Sequence, residues 1–171
     1  FYDYSKLEHP EFALVKKKQD FAEFLRTYLA GRYDEIELAE FRLEVEIPEE
    51  QILHSFDEVQ FGRVLDNILA NALKHNPKGT TIYITLQQTE RTIQIEVGDN
   101  GVGIPEEIKE QLFDPFTVGD DSRHNRQGSG LGLAVAAKIV ELHGGHLRFA
   151  SSPGVGTRVT VTLYEGGGQD A

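Results

Sequence analysis

A glycine-rich run that leads directly into an apolar helix places the tightest constraint on the fold of this chain. Gly128, Gly130 and Gly132 stand at every second position, and a helical pattern continues from there to about His143. Because glycine has no Cβ, such a run lets the backbone approach a ligand closely. The unpaired amides at the start of a helix suit a phosphate. Glycine-rich turns before helices also have purely structural uses, so the run alone leaves both interpretations open.

Hydrophobic periodicity predicts the other elements. Asp20 is expected to be the N-cap of a helix over residues 21–39, and alternation over 41–47 predicts a half-buried strand. A second helix is predicted from about 57 to 75. Further extended segments are predicted at 13–17, 81–87, 92–97, 146–150 and 157–163. This order predicts an α/β fold, a two-layer sandwich in which helices cover one face of a mixed, mostly antiparallel sheet.

The composition limits the class of protein. The 171 residues fit one domain, and 39% are hydrophobic, as in ordinary globular proteins. The net charge of −11 argues against nucleic acid or an anionic membrane surface as the main partner. No apolar run is long enough to span a bilayer, so we expect a segment that is not membrane-embedded. Since the chain has no methionine, we expect it to be part of a longer protein, and the absence of cysteine excludes thiolate metal sites.

One face of the second helix carries an unusual set of polar side chains. Asn67, Asn71, Lys74 and His75 are spaced so that they share this face. A solvated surface is the simple interpretation, but two asparagines one turn apart are poor helix formers. An asparagine oxygen is a suitable ligand for Mg²⁺, and a lysine can reach a phosphate. The face therefore also fits a metal–phosphate site.

A second polar group follows the strand predicted at 92–97. Asp99 precedes Gly101 and Gly103, a composition that favours a turn. In a functional interpretation, the carboxylate accepts a hydrogen bond from the exocyclic amine of adenine, because a carboxylate only accepts. The polar segment 118–127 is predicted to be a mobile lid over such a site.

These segments together resemble a known family. In order and spacing, the five motifs resemble the N box and the glycine and phenylalanine boxes of the ATP-binding catalytic domain of sensor histidine kinases, which has the Bergerat fold. The motifs are 67–77, 99–105, 112–116, 128–133 and 156–157. The resemblance covers residues 12–164. Residues 1–11 are then the end of a preceding phosphoacceptor-domain helix with its linker, and residues 165–171 a disordered tail.

The resemblance implies a role for each matching position. Asn71 would bind Mg²⁺, and Asn67 and Lys74 would face the phosphates and serve catalysis. Asp99 would hold the adenine amino group of ATP or ADP. Further ATP contacts would come from His75, Gly101, Gly103, Ile104, Phe116, Gly128, Ser129, Gly130, Leu131, Gly132 and Thr157.

One position separates two activities within the superfamily. Related ATPases hold a glutamate general base where this chain has Asn67, and an amide cannot deprotonate water. We therefore predict transfer of the γ-phosphate from Mg-ATP to a histidine on an adjoining dimerisation and phosphoacceptor domain. The resemblance also implies that this segment is a cytoplasmic domain, with a response regulator as partner and a homodimeric, membrane-anchored parent protein. The alternatives are a Bergerat-type ATPase or anti-sigma-type serine kinase, and a non-catalytic nucleotide-sensing docking module.

Overall fold

The computed structural model of the chain describes residues 4–9, 12–112 and 132–165, with five helices and seven strands among them. In chain order the elements are α1 (Tyr4–Leu7), β1 (Lys17–Asp20), α2 (Phe21–Leu38), β2 (Arg42–Glu46), β3 (Leu53–Phe56), α3 (Glu58–His75), β4 (Thr81–Gln88), β5 (Thr92–Asp99), α4 (Glu106–Leu112), α5 (Gly132–Leu142), β6 (His146–Ser152) and β7 (Gly156–Tyr164).

A five-stranded sheet forms one layer of the fold, in the order β2-β4-β5-β7-β6. The pair β2–β4 is parallel and the other three pairs are antiparallel. On β4 and β5, buried isoleucines such as Ile84 and Ile95 alternate with exposed residues such as Tyr83 and Gln94. Helices therefore cover only one face, and the predicted two-layer α/β sandwich with a mixed, mostly antiparallel sheet is confirmed.

Two aspartates begin the long helices. The side chain of Asp20 accepts a hydrogen bond from the Ala22 amide, and it also accepts one from Ile52, which precedes β3. Asp57 caps α3 through the Gln60 amide. Asp20 is thus the N-cap that was predicted, and α3 begins one residue later than the predicted start at 57.

Three local predictions need correction. β1 begins at Lys17, where the predicted extended segment at 13–17 ends, and it pairs with β3, which was not predicted. The helix α4 was not predicted either. The alternation over 41–47 predicts that Val45 points into the core, but this residue is 45% exposed. It lies on β2, which is an edge strand of the five-stranded sheet and is only partly covered.

Several predictions fall on residues outside the described ranges. These are the lid at 118–127, the predicted tail at 165–171 except for its first residue, and the proposed ATP contacts Phe116, Gly128, Ser129, Gly130 and Leu131. The division of the chain after residue 11 also stays a prediction. Within the described ranges, no helix combines the length and hydrophobicity needed to cross a membrane.

Candidate nucleotide site

A pocket opens where α3 and α5 meet the strands β5, β6 and β7. Its lining is mainly apolar with a few polar groups, as is typical of small-molecule sites. The lining residues are Ile68, Asn71, Ala72, His75, Asn76, Val97, Asp99, Ile104, Leu133, Phe149, Thr157 and Val159. Five of them were predicted from the sequence, namely Asn71, His75, Asp99, Ile104 and Thr157.

Asn71 presents a buried amide to this pocket. Only 9% of the residue is exposed, and its Nδ2 atom has no hydrogen-bond partner among the described residues. Leaving such a group unpaired costs roughly 1–3 kcal/mol of folding free energy. Asn71 lies on the helical face that the pattern of buried residues turns toward the sheet. The stability of the fold is therefore lowered at the point where the Asn71 side chain faces the pocket.

His75 lies one helical turn further along the same face. Its Nε2 atom is also buried without a hydrogen-bond partner in the described part of the chain. Burial lowers the pKa of the imidazole, and the neighbouring charge of Lys74 lowers it further, while Asp99 acts in the opposite direction. The ring is consequently neutral at neutral pH and can donate or accept a hydrogen bond.

Asn67 and Lys74 lie on α3 outside the pocket lining. Asn67 is half-buried and lies next to Gly132, where a Cβ would be 4.0 Å from the Asn67 Cβ and O atoms. Lys74 is exposed, and partial desolvation lowers the pKa of its ammonium group. Asn67 thus lies at the N-terminal end of α5, where a chain of phosphates leaving the pocket would pass. Lys74 lies about two turns further along α3.

Asp99 is held at the end of β5 by two backbone amides. Its Oδ1 atom accepts from Gly101 at 2.9 Å and from Thr157 at 3.3 Å. Asp99 is also paired with Thr157 across the β5–β7 ladder. Since both of these bonds go to Oδ1, the carboxylate is fixed with Oδ2 available to a donor in the pocket.

The hydrogen bonds of Asn76 explain why Gly101 is required. The Asn76 side chain donates to the Ala72 carbonyl and accepts from the Val102 amide. A Cβ at Gly101 would lie 1.8 Å from Asn76 Oδ1. A side chain at position 101 would therefore collide with the side chain that joins α3 to this loop.

Gly103 is required for a similar reason. Its φ angle is +77°, a value that favours glycine, and a Cβ there would lie 2.2 Å from the Ser152 carbonyl oxygen. The next residue, Ile104, is buried in the pocket lining, and its amide donates to Ser151 Oγ. Gly103 therefore lets the loop turn against β6 and aims Ile104 into the pocket.

Most of the apolar lining was not predicted as part of a site. These residues are Ile68, Ala72, Val97, Leu133, Phe149 and Val159. Their periodicity marks them as core positions, and nothing in a single sequence separates a core wall from a ligand-facing wall. Asn76 was also missed as a lining residue, although its place directly after His75 was a usable signal.

The side chains of the site are compatible with Mg²⁺ and a nucleotide. Among the described residues, no group of three or more histidine, aspartate or glutamate side chains could hold a metal alone. A single amide oxygen with phosphate oxygens and waters suits Mg²⁺, which keeps several waters. The buried Asn71 amide, the oriented Asp99 carboxylate and the apolar walls fit this arrangement, with a planar base between the walls.

Comparison with known proteins agrees with this geometry. Residues 56–166 match the family of histidine kinase-, DNA gyrase B-, and HSP90-like ATPases. The chain belongs to this family. The match takes in α3, the pocket and α5.

Similar sequences are sensor histidine kinases. The chain is 42% identical to the sensor histidine kinase YvrG of Bacillus subtilis over 113 residues, 66% of this chain and 20% of that protein. It is 31% identical to the sensor histidine kinase YcbM of the same organism over 164 residues, 95% of this chain and 53% of that protein. The resemblance to sensor histidine kinases is confirmed, and the chain spans only about a fifth to a half of these relatives.

Solved structures confirm the fold. The nucleotide-free catalytic domain of the histidine kinase ThkA matches with a TM-score of 0.75 and 24% identity, over 89% of this chain and 99% of that one. The structure of ThkA in complex with the response regulator protein TrrA matches with a TM-score of 0.72 and 22% identity, over 90% of this chain and 43% of that one.

Proposed function

We propose that the chain binds Mg-ATP and donates the γ-phosphate to a histidine on an adjoining phosphoacceptor domain. The observation that carries this proposal is the buried Asn71 side chain, whose Nδ2 atom has no hydrogen-bond partner among the described residues, in a pocket that also contains the oriented Asp99 carboxylate. Membership of the ATPase family and similarity to sensor histidine kinases support it. The remainder of the parent protein would supply the acceptor.

In this proposal the adenine base lies between the apolar walls of the pocket. Asp99 Oδ2 accepts a hydrogen bond from the exocyclic amine, and Thr157 keeps the carboxylate in place through its amide. Guanine presents a carbonyl at that position, so two acceptors would face each other without a proton. The pocket therefore selects ATP over GTP.

The phosphates leave the pocket past the N-terminal end of α5. Asn71 Oδ1 would hold Mg²⁺, which supplies neutralisation of phosphate charge. Asn67 lies beside this end of α5, and Asn67 and Lys74 would orient the terminal phosphate for in-line attack by an external nucleophile. Because Asn67 is an amide, it cannot activate water, so transfer is favoured over hydrolysis.

Titration calorimetry of this chain with Mg-ATP and Mg-GTP tests the binding step. We expect Mg-ATP to bind and Asn71→Ala to abolish the magnesium-dependent part of the affinity. Gln94→Ala, on the exposed face of the sheet, serves as the matched control. Equal affinities for the two nucleotides in the unmutated chain would contradict the role of Asp99.

Transfer is tested with the parent protein. We expect label from γ-labelled ATP on a histidine and no release of free phosphate above background. Rapid hydrolysis without a labelled histidine would favour the ATPase alternative. We further propose that the parent is a membrane-anchored homodimer that passes the phosphate to a response regulator, as the family resemblance implies.

A further inference from the structure

His143 is a buried histidine outside the nucleotide pocket. It directly follows α5 and is 3% exposed. Its Nε2 atom accepts a 3.0 Å hydrogen bond from the Asp57 amide. Its Nδ1 atom lies 2.9 Å from the Ile139 carbonyl oxygen. Since Nε2 is the acceptor, Nδ1 carries the proton and donates it to Ile139, so the ring is a fully bonded neutral tautomer.

Asp57 joins three segments at the same place. Its Oδ1 atom caps α3 through Gln60, its Oδ2 atom accepts a 2.8 Å bond from the Val15 amide, and its own amide binds His143. Asp57 is 6% exposed. The ring of Phe61, one turn into α3, packs edge-on against His143 with centroids 5.2 Å apart. We call Asp57 and His143 together the Asp57–His143 clamp.

The clamp lies at one end of an antiparallel helix pair. The C-terminal end of α5 meets the N-terminal end of α3 at the clamp, while Gly132, which begins α5, lies beside Asn67. Asn71 is fourteen residues beyond Asp57, or about 20 Å along the helix axis. The nucleotide pocket, with Asn71 from α3 and Leu133 from α5, is therefore at the opposite end of the same pair.

Apolar contacts between these helices constrain the axial register less strictly than a directional hydrogen bond does. Leucine, isoleucine and alanine surfaces can slide by a turn, about 5.4 Å, and still bury similar area. The hydrogen bond from Asp57 to His143 exists in one register only, because both the donor and the imidazole are tied to their helix ends. Hydrogen bonds are directional whereas apolar burial is not.

We propose that the Asp57–His143 clamp fixes the axial register of α5 against α3 and thereby positions the phosphate end of the nucleotide site. Asp57 and His143 are positioning residues that contact no ligand, and the inference rests on the proposed binding of Mg-ATP. Charged and titratable groups facing His143 are Asp57 at the start of α3, His54 on β3 and Lys16 before β1.

A pair of similar substitutions tests the clamp. A glutamine amide reaches the position of Nε2, whereas an asparagine amide reaches only that of Nδ1. His143→Gln can therefore accept from Asp57 and His143→Asn cannot, although both side chains are polar and smaller than histidine. We expect Mg-ATP affinity within about twofold of the unmutated chain for His143→Gln, and about five- to tenfold weaker for His143→Asn.

Calorimetry with Mg-ATP is the measurement, made well below the unfolding temperature of each variant. Equal affinities for the two variants would overturn the clamp, because a purely structural histidine has no reason to prefer the ε position. Ile36→Val, a core change in α2, controls for lowered stability alone and should leave affinity unchanged. If the unmutated chain binds no Mg-ATP, the proposed function fails instead, so the two failures are distinguishable.

Discussion

The two ends of the α3–α5 helix pair contrast in how their buried polar groups are satisfied. At the clamp, the side-chain oxygens of Asp57 and both ring nitrogens of His143 have hydrogen-bond partners. At the pocket, Asn71 Nδ2 and His75 Nε2 are buried without partners among the described residues. Both ends belong to the same helices and the same core. Apart from Gln60 Oε1, which is buried in the first turn of α3 without a partner among the described residues, the difference indicates a closed end that specifies the fold and an open end that a ligand completes.

This contrast predicts opposite responses to similar substitutions. At the closed end, an apolar replacement leaves a donor or acceptor unpaired and destabilises the fold. At the open end, it removes a polar group that was already unpaired. Stability and ligand affinity should then change in opposite directions at the pocket and in the same direction at the clamp.

The largest expected effect is at the open end. Asn71→Leu removes the proposed Mg²⁺ ligand and should weaken Mg-ATP binding by more than about 100-fold. The same change replaces a buried unpaired amide with an apolar group of similar size, so the free energy of unfolding should rise by about 1 kcal/mol. Calorimetry and urea denaturation without nucleotide measure the two quantities. A loss of stability together with a loss of affinity would contradict the contrast.

The second prediction concerns the closed end. Asp57→Ala removes the α3 cap and the acceptor for the Val15 amide, and it should lower the free energy of unfolding by about 2–3 kcal/mol. Urea denaturation measures this change. Asp34→Ala, at an exposed position within α2, is the matched control and should change stability by less than about 0.5 kcal/mol. Similar losses of unfolding free energy in the two variants would show that the closed end contributes no more to stability than an exposed position does.

The open end was more predictable from the sequence than the closed end. Asn71 and His75 share one helical face by simple periodicity, and Asp99 and Thr157 follow recognisable family motifs. The hydrogen bond between Asp57 and His143 joins residues 86 positions apart, and no local rule links them.

The fold shows the same division between local and distant signals. The long helices and the hairpin strands were predicted because their apolar periods are local. β3 has four residues, and it is defined by pairing with β1, in which Lys17 lies opposite Phe56. α4 had a local signal that was overlooked, since Pro105 followed by Glu106 and Glu107 is typical of a helix start.

A third prediction concerns pH and affects mainly the clamp. Burial lowers the pKa of His143 from its ordinary value of 6.5, so the folded state favours the neutral ring. Stability from this group is complete above about pH 6.5 and is lost as the pH falls through the folded pKa, because the unfolded chain binds the proton first. Urea denaturation across this range should show the loss, and His143→Gln should make the slope shallower. His54 and His75 have lowered pKa values for the same main reason and account for a remaining slope.

The smallest effect is expected away from both ends, at the residue that follows the C-cap of α2. Glu40 has a φ angle of +67°, a left-handed conformation that costs a residue with a Cβ about 1–2 kcal/mol. Glu40→Gly relieves this strain but adds freedom to the unfolded chain, so we expect a net gain of about 0.5–1 kcal/mol. The exposed ion pair with Lys78 contributes little, and the backbone bond from Gly79 to the Glu40 carbonyl remains.

Glu40→Gly also sharpens the interpretation of Asn71→Leu. Both variants should be more stable in urea, but only Asn71→Leu should lose Mg-ATP affinity, because Glu40 is not part of the pocket lining. Glu35→Gly, within α2, should lower the free energy of unfolding by about 1 kcal/mol. This control separates the destabilising effect of glycine inside the helix from its stabilising effect at position 40. If Glu40→Gly weakened nucleotide binding as well, added stability itself would impair the site, and the unpaired amide of Asn71 would no longer be the reason for the trade-off.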